Sequence, residues 1–227
     1  MSAIVKLKNR ILEKNPIAVA RRKRMRTHLT NQSPSFLCPN CIGGILFHDL
    51  GLEFRSPTVN LSMNQRDFVK YVLHYDKYMA GQFEFFKHDE FICPCAHLSF
   101  GGLDTIDVIF THYNSPEHAL EKWYSRSTKM DKDNVFVFLE ERDGLTEEDI
   151  RSLANIKARG LVVFTYNNYP DIPYCVKIKK YENKGEVGNI LKRSYLDDSR
   201  EYEKYFNFVK WFNEADGDFR KTVEFVV

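Results

Sequence analysis

The sequence predicts an α/β fold: a mostly parallel, open sheet with helices on both faces, three-layered and Rossmann-like, behind an N-terminal basic helical arm. Two observations carry this expectation. From residue 106 onward, short β-branched and aromatic runs alternate with amphipathic helical stretches, the pattern of repeated strand-helix units. In addition, most of six short apolar segments end in polar or reactive residues: Phe36-Leu37-Cys38-Pro39-Asn40-Cys41, Val59-Asn60-Leu61-Ser62, Val108 to Tyr113, Val135 to Asp143, Leu161 to Tyr166 and, more blandly, Val176 to Lys179. Read as strands of one parallel sheet, they bring those ends to its carboxyl edge, where ligands bind in such folds. Asn40, Cys41, His112, Arg142, Asp143 and Thr165 are therefore expected to share a cleft.

Taken in order, the elements begin with a strand at 34–37. The Pro39 to Gly44 turn then opens a helix that runs to Leu50 and stops at Gly51. Residues 57–63 read as a strand and Asn64 as an N-cap. The helix from Asp67 to Met79 is signalled by Phe68, Val69, Val72, Leu73 and Tyr75 at helical spacing. Residues 81–104 read as a hairpin or as an excursion lying over the cleft. Strand 106–112, helix 116–129 behind Ser115-Pro116-Glu117, strand 134–139, helix 146–156 behind Thr146-Glu147-Glu148-Asp149 and strand 160–166 follow. An edge strand at 174–180, a charged segment and a helix at 201–214 carrying Tyr205, Phe208, Val209 and Phe212 complete the chain.

With 227 residues, 43% of them hydrophobic, and 18 Phe and 12 Tyr, the chain has enough apolar surface for a single core. We divide it into an arm at 1–30 and one α/β domain at 31–227. The net charge of +2 conceals an imbalance, since residues 1–26 carry +8 and the remainder −6. Ile4, Leu7, Ile11 and Leu12 follow helical spacing among Lys6, Lys8, Arg10 and Lys14, and Asn15-Pro16 is expected to break that helix before the basic run Arg21 to Arg26. Such an arm reads either as a solvated helix packed on the domain or as a contact for an anionic membrane surface. Nucleic acid is not expected as a partner, and oligomeric state is not legible.

The lack of a long apolar run and of a secretory signal points to a cytoplasmic location, at most peripheral at the inner face of the membrane. Five cysteines, an odd number, are expected as thiols. Cys38-Pro39-Asn40-Cys41 has zinc-ligand spacing, but Cys93-Pro94-Cys95 does not, so no metal is expected, and no cofactor either. Dinucleotide, Walker, serine-elbow and His-Glu-x-x-His motifs are all missing.

Asn40-Cys41-Ile42-Gly43-Gly44, Leu50-Gly51-Leu52, Ser56-Pro57-Thr58-Val59, His112-Tyr113, Glu121-Lys122-Trp123, Arg142 to Asp149 and Tyr169-Pro170-Asp171 occur in that order. Over residues 33 to 180 this set resembles the bacterial family called domain of unknown function nineteen-nineteen. Members are often labelled exopolysaccharide or capsule biosynthesis proteins, and the resemblance implies that pathway without implying a reaction. The family pattern commonly begins Ser-Asn-Asn-Cys-Trp. Cys38, Pro39 and Ile42 depart from it and Cys41 does not.

Cys41, at a helix N-terminus where free amides and the helix dipole favour thiolate, reads equally as a nucleophile and as a buried inert thiol. His112 reads as a general base or as a core histidine. With Asp143 the two would form a triad for acyl or glycosyl transfer through a covalent intermediate. Gly43 and Gly44 would let an anion approach the backbone, and Arg142 would grip phosphate or carboxylate. Ser56, Thr58, Asn60 and Ser62 would bond sugar hydroxyls, Tyr113, Trp123 or Tyr166 would stack on a ring, and Asn40 and Thr165 are expected to line the same substrate cleft. Arg142 and Asp143 read equally as loop residues capping the next helix. The expected substrate is a sugar-containing small molecule or lipid-linked saccharide, handled by a sugar or acyl transferase. The alternative is a noncatalytic polysaccharide-binding or assembly adaptor.

Overall fold

In the computed structural model, which describes residues 12–227, four parallel strands form the central sheet in the order β1 (Ser35–Leu37), β5 (Val135–Glu140), β6 (Gly160–Thr165), β7 (Cys175–Lys177). Both central strands are buried along their whole length, so strand alternation feeds two cores. Val135, Val137, Leu139, Leu161 and Val163 face one; Phe136, Phe138, Val162 and Phe164 face the other.

The phenylalanine side is covered by α2 (Ile42–Leu50) and α7 (Phe208–Glu214), through Leu46, Phe47, Phe208, Trp211 and Phe212. Their rings meet mostly edge to face, as between Phe136 and Trp211 at 4.9 Å. Gly160 admits that packing, because a Cβ there would fall 2.6 Å from the Trp211 indole. The opposite side is covered by α3 (Gln65–Leu73), α5 (Pro116–Ser127), α6 (Glu147–Ser152) and a second, three-stranded sheet. Trp123 on α5 is buried there, its indole N–H donating to the Met79 carbonyl at 3.3 Å.

That second sheet, β2 (Gln82–Phe86), β3 (Cys95–Ser99) and β4 (Ile106–Ile109), is antiparallel. It corrects the expectation that strand 106–112 joins the parallel sheet. Only residues 100–105 separate β3 from β4, too few for a parallel crossover, so the chain must double back. The 81–104 segment is thereby a hairpin leading into β4. A strand at 57–63 does not form: Thr58 N–H donates to the Ser56 hydroxyl and Asn60 adopts left-handed φ of 66°, local bonding that competes with a ladder. Asn64 caps α3 as expected, and His74 at φ −140° splits the foreseen 67–79 helix before a short α4 (Tyr75–Tyr78). The 201–214 helix is likewise broken, into a 3₁₀ turn at Glu201–Lys204 and α7.

The arm contributes α1 (Pro16–His28), and Pro16 starts this helix behind an Asn15 cap. Arg21 and Arg22 point into the domain, while the exposed Arg26 bonds along its edge. Arg21 pairs with Asp49 at 3.0 Å and with Glu203, Arg22 with the buried Asp198 at 2.9 Å, and Arg26 Nε donates to the Asp49 carbonyl at 2.8 Å. Lys14, Lys23 and Arg24 stay exposed beside Ile17 and Val19. Ile4, Leu7 and Ile11 lie outside the described residues. Among the described residues no helix is long and apolar enough to cross a membrane.

Candidate active site

Cys41 stands at the N-cap of α2, just past the end of β1, and its side chain does not cap the helix. Asn40 supplies that bond instead, its Oδ1 accepting from the Ile42 N–H at 3.0 Å. The turn is tied to the second sheet by backbone. Met63 N–H donates to the Pro39 carbonyl at 2.9 Å, and Ser62 exchanges bonds of 2.7 and 2.9 Å with Ile109 at the end of β4. This stitching carries His112 to Cys41: Cys41 Sγ and His112 Nε2 are 3.3 Å apart. Cys41 and His112, expected to share a cleft, do lie in contact, but the chain leaving an antiparallel strand delivers the histidine rather than a neighbour in the parallel sheet.

Burial pushes the half-buried Cys41 thiol above its ordinary value, while a hydrogen bond from Thr111 pulls the other way. The resting group is therefore a thiol at neutral pH. His112 is exposed, and among the described residues no carboxylate is hydrogen-bonded to it.

Asp143 does not complete a triad. It sits in left-handed conformation, φ 53°, ahead of Gly144 at φ 74°, with its carboxylate 3.5 Å from Arg142 Nε. The turn after β5 aims it at its own neighbour. Thr146 caps α6 in a reciprocal box with Asp149, so capping falls to Thr146.

The carboxylate the sequence reading passed over is Glu140, the last residue of β5, only 1% exposed. Its Oε2 accepts from Asn40 Nδ2, and its backbone N–H donates to Gln65 Oε1 at 3.2 Å. Burial pushes it up to about 8, against the opposing pull of Arg142 and the Asn40 bond and with a further push from Asp143 and Glu186. A carboxyl protonated at pH 7 thus adjoins the turn that presents Cys41. The available signal was two consecutive carboxylates closing an otherwise apolar strand. The next residue, Glu141, is equally buried and gathers the loop after β6, accepting from Tyr166 N at 2.8 Å, Asn167 N at 3.0 Å and Tyr169 Oη at 2.5 Å.

Several predicted ligand-binding groups prove to be committed elsewhere. Ser56 and Thr58 are fully buried and bonded to each other at 2.9 Å, and Thr58 Oγ1 also accepts from Cys38 N. Tyr113 Oη donates to the Val59 carbonyl and accepts from Arg126, and Thr165 Oγ1 donates to the Asn167 carbonyl. Gly43 makes room for the Cys38 sulfur and Gly44 for the Asn60 side chain, a use of these glycines in packing. Asn40, Cys41 and His112 converge, with Arg142 and Asp143 around the buried Glu140.

The loop joining β2 to β3 and the chain past His112 enclose an open groove of 440 Å³ lined by Phe86, His88, Phe91, Pro94, Asn114 and Pro116, to which neither Cys41 nor His112 contributes. Among the described residues no three His, Cys, Asp or Glu side chains are grouped to hold a metal.

Residues 12–213 match the family model described as domain of unknown function (DUF1919). A Haemophilus influenzae protein described as uncharacterized is 32% identical over 215 residues, covering 95% of this chain and all of that protein. The chain belongs to the DUF1919 family.

Proposed function

We propose that this DUF1919 member is a transferase that moves a sugar or acyl group between a sugar donor and an acceptor, with Cys41 as nucleophile. The observation carrying this reading is the 3.3 Å approach of Cys41 Sγ to His112 Nε2 at the start of α2. A thiol held protonated by burial needs a base within reach, and His112 takes its proton as sulfur attacks the donor carbon. The leaving group departs with its electron pair and receives that proton. An acceptor hydroxyl then gives its proton to His112 and attacks the same carbon, and the Cys41 sulfur leaves and is reprotonated. The positive N-terminal end of the α2 dipole stabilises the negative charge on sulfur at both stages. Assembly of exopolysaccharide or capsule is the setting we assign, following the labels of the resembled proteins. Exposed Lys14, Lys23 and Arg24 support a contact with anionic membrane at its inner face.

The test is intact-mass analysis after incubation with nucleotide-sugars, lipid-linked saccharides and acyl thioesters. An adduct on Cys41 that is missing in Cys41→Ala and slowed in His112→Ala is expected. No adduct from any donor, together with unchanged polysaccharide in cells carrying Cys41→Ala and His112→Ala, would sink the reading. One observation favours the adaptor alternative: among the described residues, no carboxylate is bonded to His112 to orient it. Cells in which Cys41→Ala fully restores polysaccharide to a deletion strain would select that alternative.

A further inference from the structure

The Cys38-Pro39-Asn40-Cys41 turn holds a second thiol that the transfer chemistry leaves idle. Cys38 is fully buried at the end of β1. Its Sγ–H donates at 3.4 Å to the carbonyl of Asn40, the oxygen of the peptide bond that leads into Cys41. Ordinary peptide dimensions then put the Cys38 sulfur within about 6 Å of the Cys41 Cα. Gly43 keeps that space open, since a Cβ there would come 2.7 Å from the sulfur. Two thiols three positions apart, at the junction of a strand and a helix N-terminus, have the spacing of a redox-active pair.

The geometry points to Cys38 as the resolving thiol of Cys41: the two close into a disulfide, and the Cys41 sulfur turns from His112 toward Cys38. The oxidant is a small-molecule disulfide. Cys41 attacks one of its sulfurs as thiolate, its proton passing to His112, and the first small thiolate leaves. The Cys38 thiol gives up its proton and attacks the Cys41 sulfur, forming the internal bond and expelling the second small thiolate. Two electrons and two protons have passed from the cysteine pair to the small molecule, which ends as two thiols. Burial decides the order, because the fully enclosed Cys38, pushed up to about 12, stays protonated while the half-exposed Cys41 meets the reagent. That closure silences transfer rests on the proposed function; the closure itself does not.

The full chain is equilibrated with mixtures of reduced and oxidised glutathione, quenched in acid, unfolded, alkylated and cut with trypsin. Cleavage after Arg26 and Arg55 releases a peptide containing Cys38 and Cys41 and no other cysteine. In oxidised buffer it is expected to lack both alkyl groups and two hydrogens. Cys38→Ser is expected to accumulate glutathione on Cys41 instead. A wild-type peptide with glutathione held on Cys41 and Cys38 still alkylated, or one in which both thiols alkylate throughout, overturns the proposal. If the disulfide forms but no donor ever modifies Cys41, the redox pair stands and the transferase reading falls.

Discussion

Replacing Glu140 by Gln should stabilise the protein in a pH-dependent way. In the native chain this carboxyl is held up to about 8, from an ordinary 4.5, chiefly by burial. A raised folded-state value means that its contribution is fully present below pH 4.5 and is lost as pH rises toward 8 and through it. At pH 7 the native chain holds a proton that the unfolded chain has released over 2.5 pH units. At ~1.4 kcal/mol per unit this costs about 3 kcal/mol. Glutamine keeps an oxygen to accept from Asn40 Nδ2 and carries no titration. Urea unfolding of wild type and Glu140→Gln should therefore give nearly equal stability at pH 4.5 and an advantage of about 3 kcal/mol for the variant at pH 7, still larger at pH 8. Titrations elsewhere cancel in the difference. A stability difference that stays flat across this range would refute the argument that Glu140 is buried and neutral. A gain in stability with slower Cys41 chemistry would be the trade expected where a strained group serves function.

Other perturbations separate the site from its supports. His112→Ala should raise the pH at which iodoacetamide labels Cys41 half-maximally and Asp143→Ala should leave it in place; an equal effect of both would restore the triad. Asn40→Ala strands the Ile42 N–H and a Glu140 oxygen together, an expected loss of about 1–3 kcal/mol in chemical unfolding. Arg22→Ala leaves Asp198 buried beside the remaining arginines Arg193 and Arg200, and removing one partner of a buried pair costs about 3–5 kcal/mol. Hydrogen exchange in α1 should speed up in that variant, and unchanged protection would show that the helix docks by other means. Gly160→Ala drives a Cβ into the Trp211 ring and should cost about 1–3 kcal/mol by thermal unfolding.

Sequence patterning alone was enough for the two central strands of the parallel sheet, though not for which other segments join it. Val135 to Leu139 and Leu161 to Phe164 are apolar throughout, a run that only a strand covered on both faces buries, and the caps at Asn64, Ser115 and Thr146 sit where hydroxyl and amide side chains satisfy free helix amides. Cys41 and His112 were legible as reactive types at element ends. How they meet was a tertiary matter, because His112 follows a strand of another sheet that is brought over by the Ser62–Ile109 bridge, a long-range pairing with no local signature. The same holds for the charges. Arg21 and Arg22 read as a basic surface until their partners Asp49, Asp198 and Glu203, distant in the chain, turn them inward. Glu140 differs from any other strand-end glutamate only through its burial, and burial is a property of the packed fold rather than of the residue.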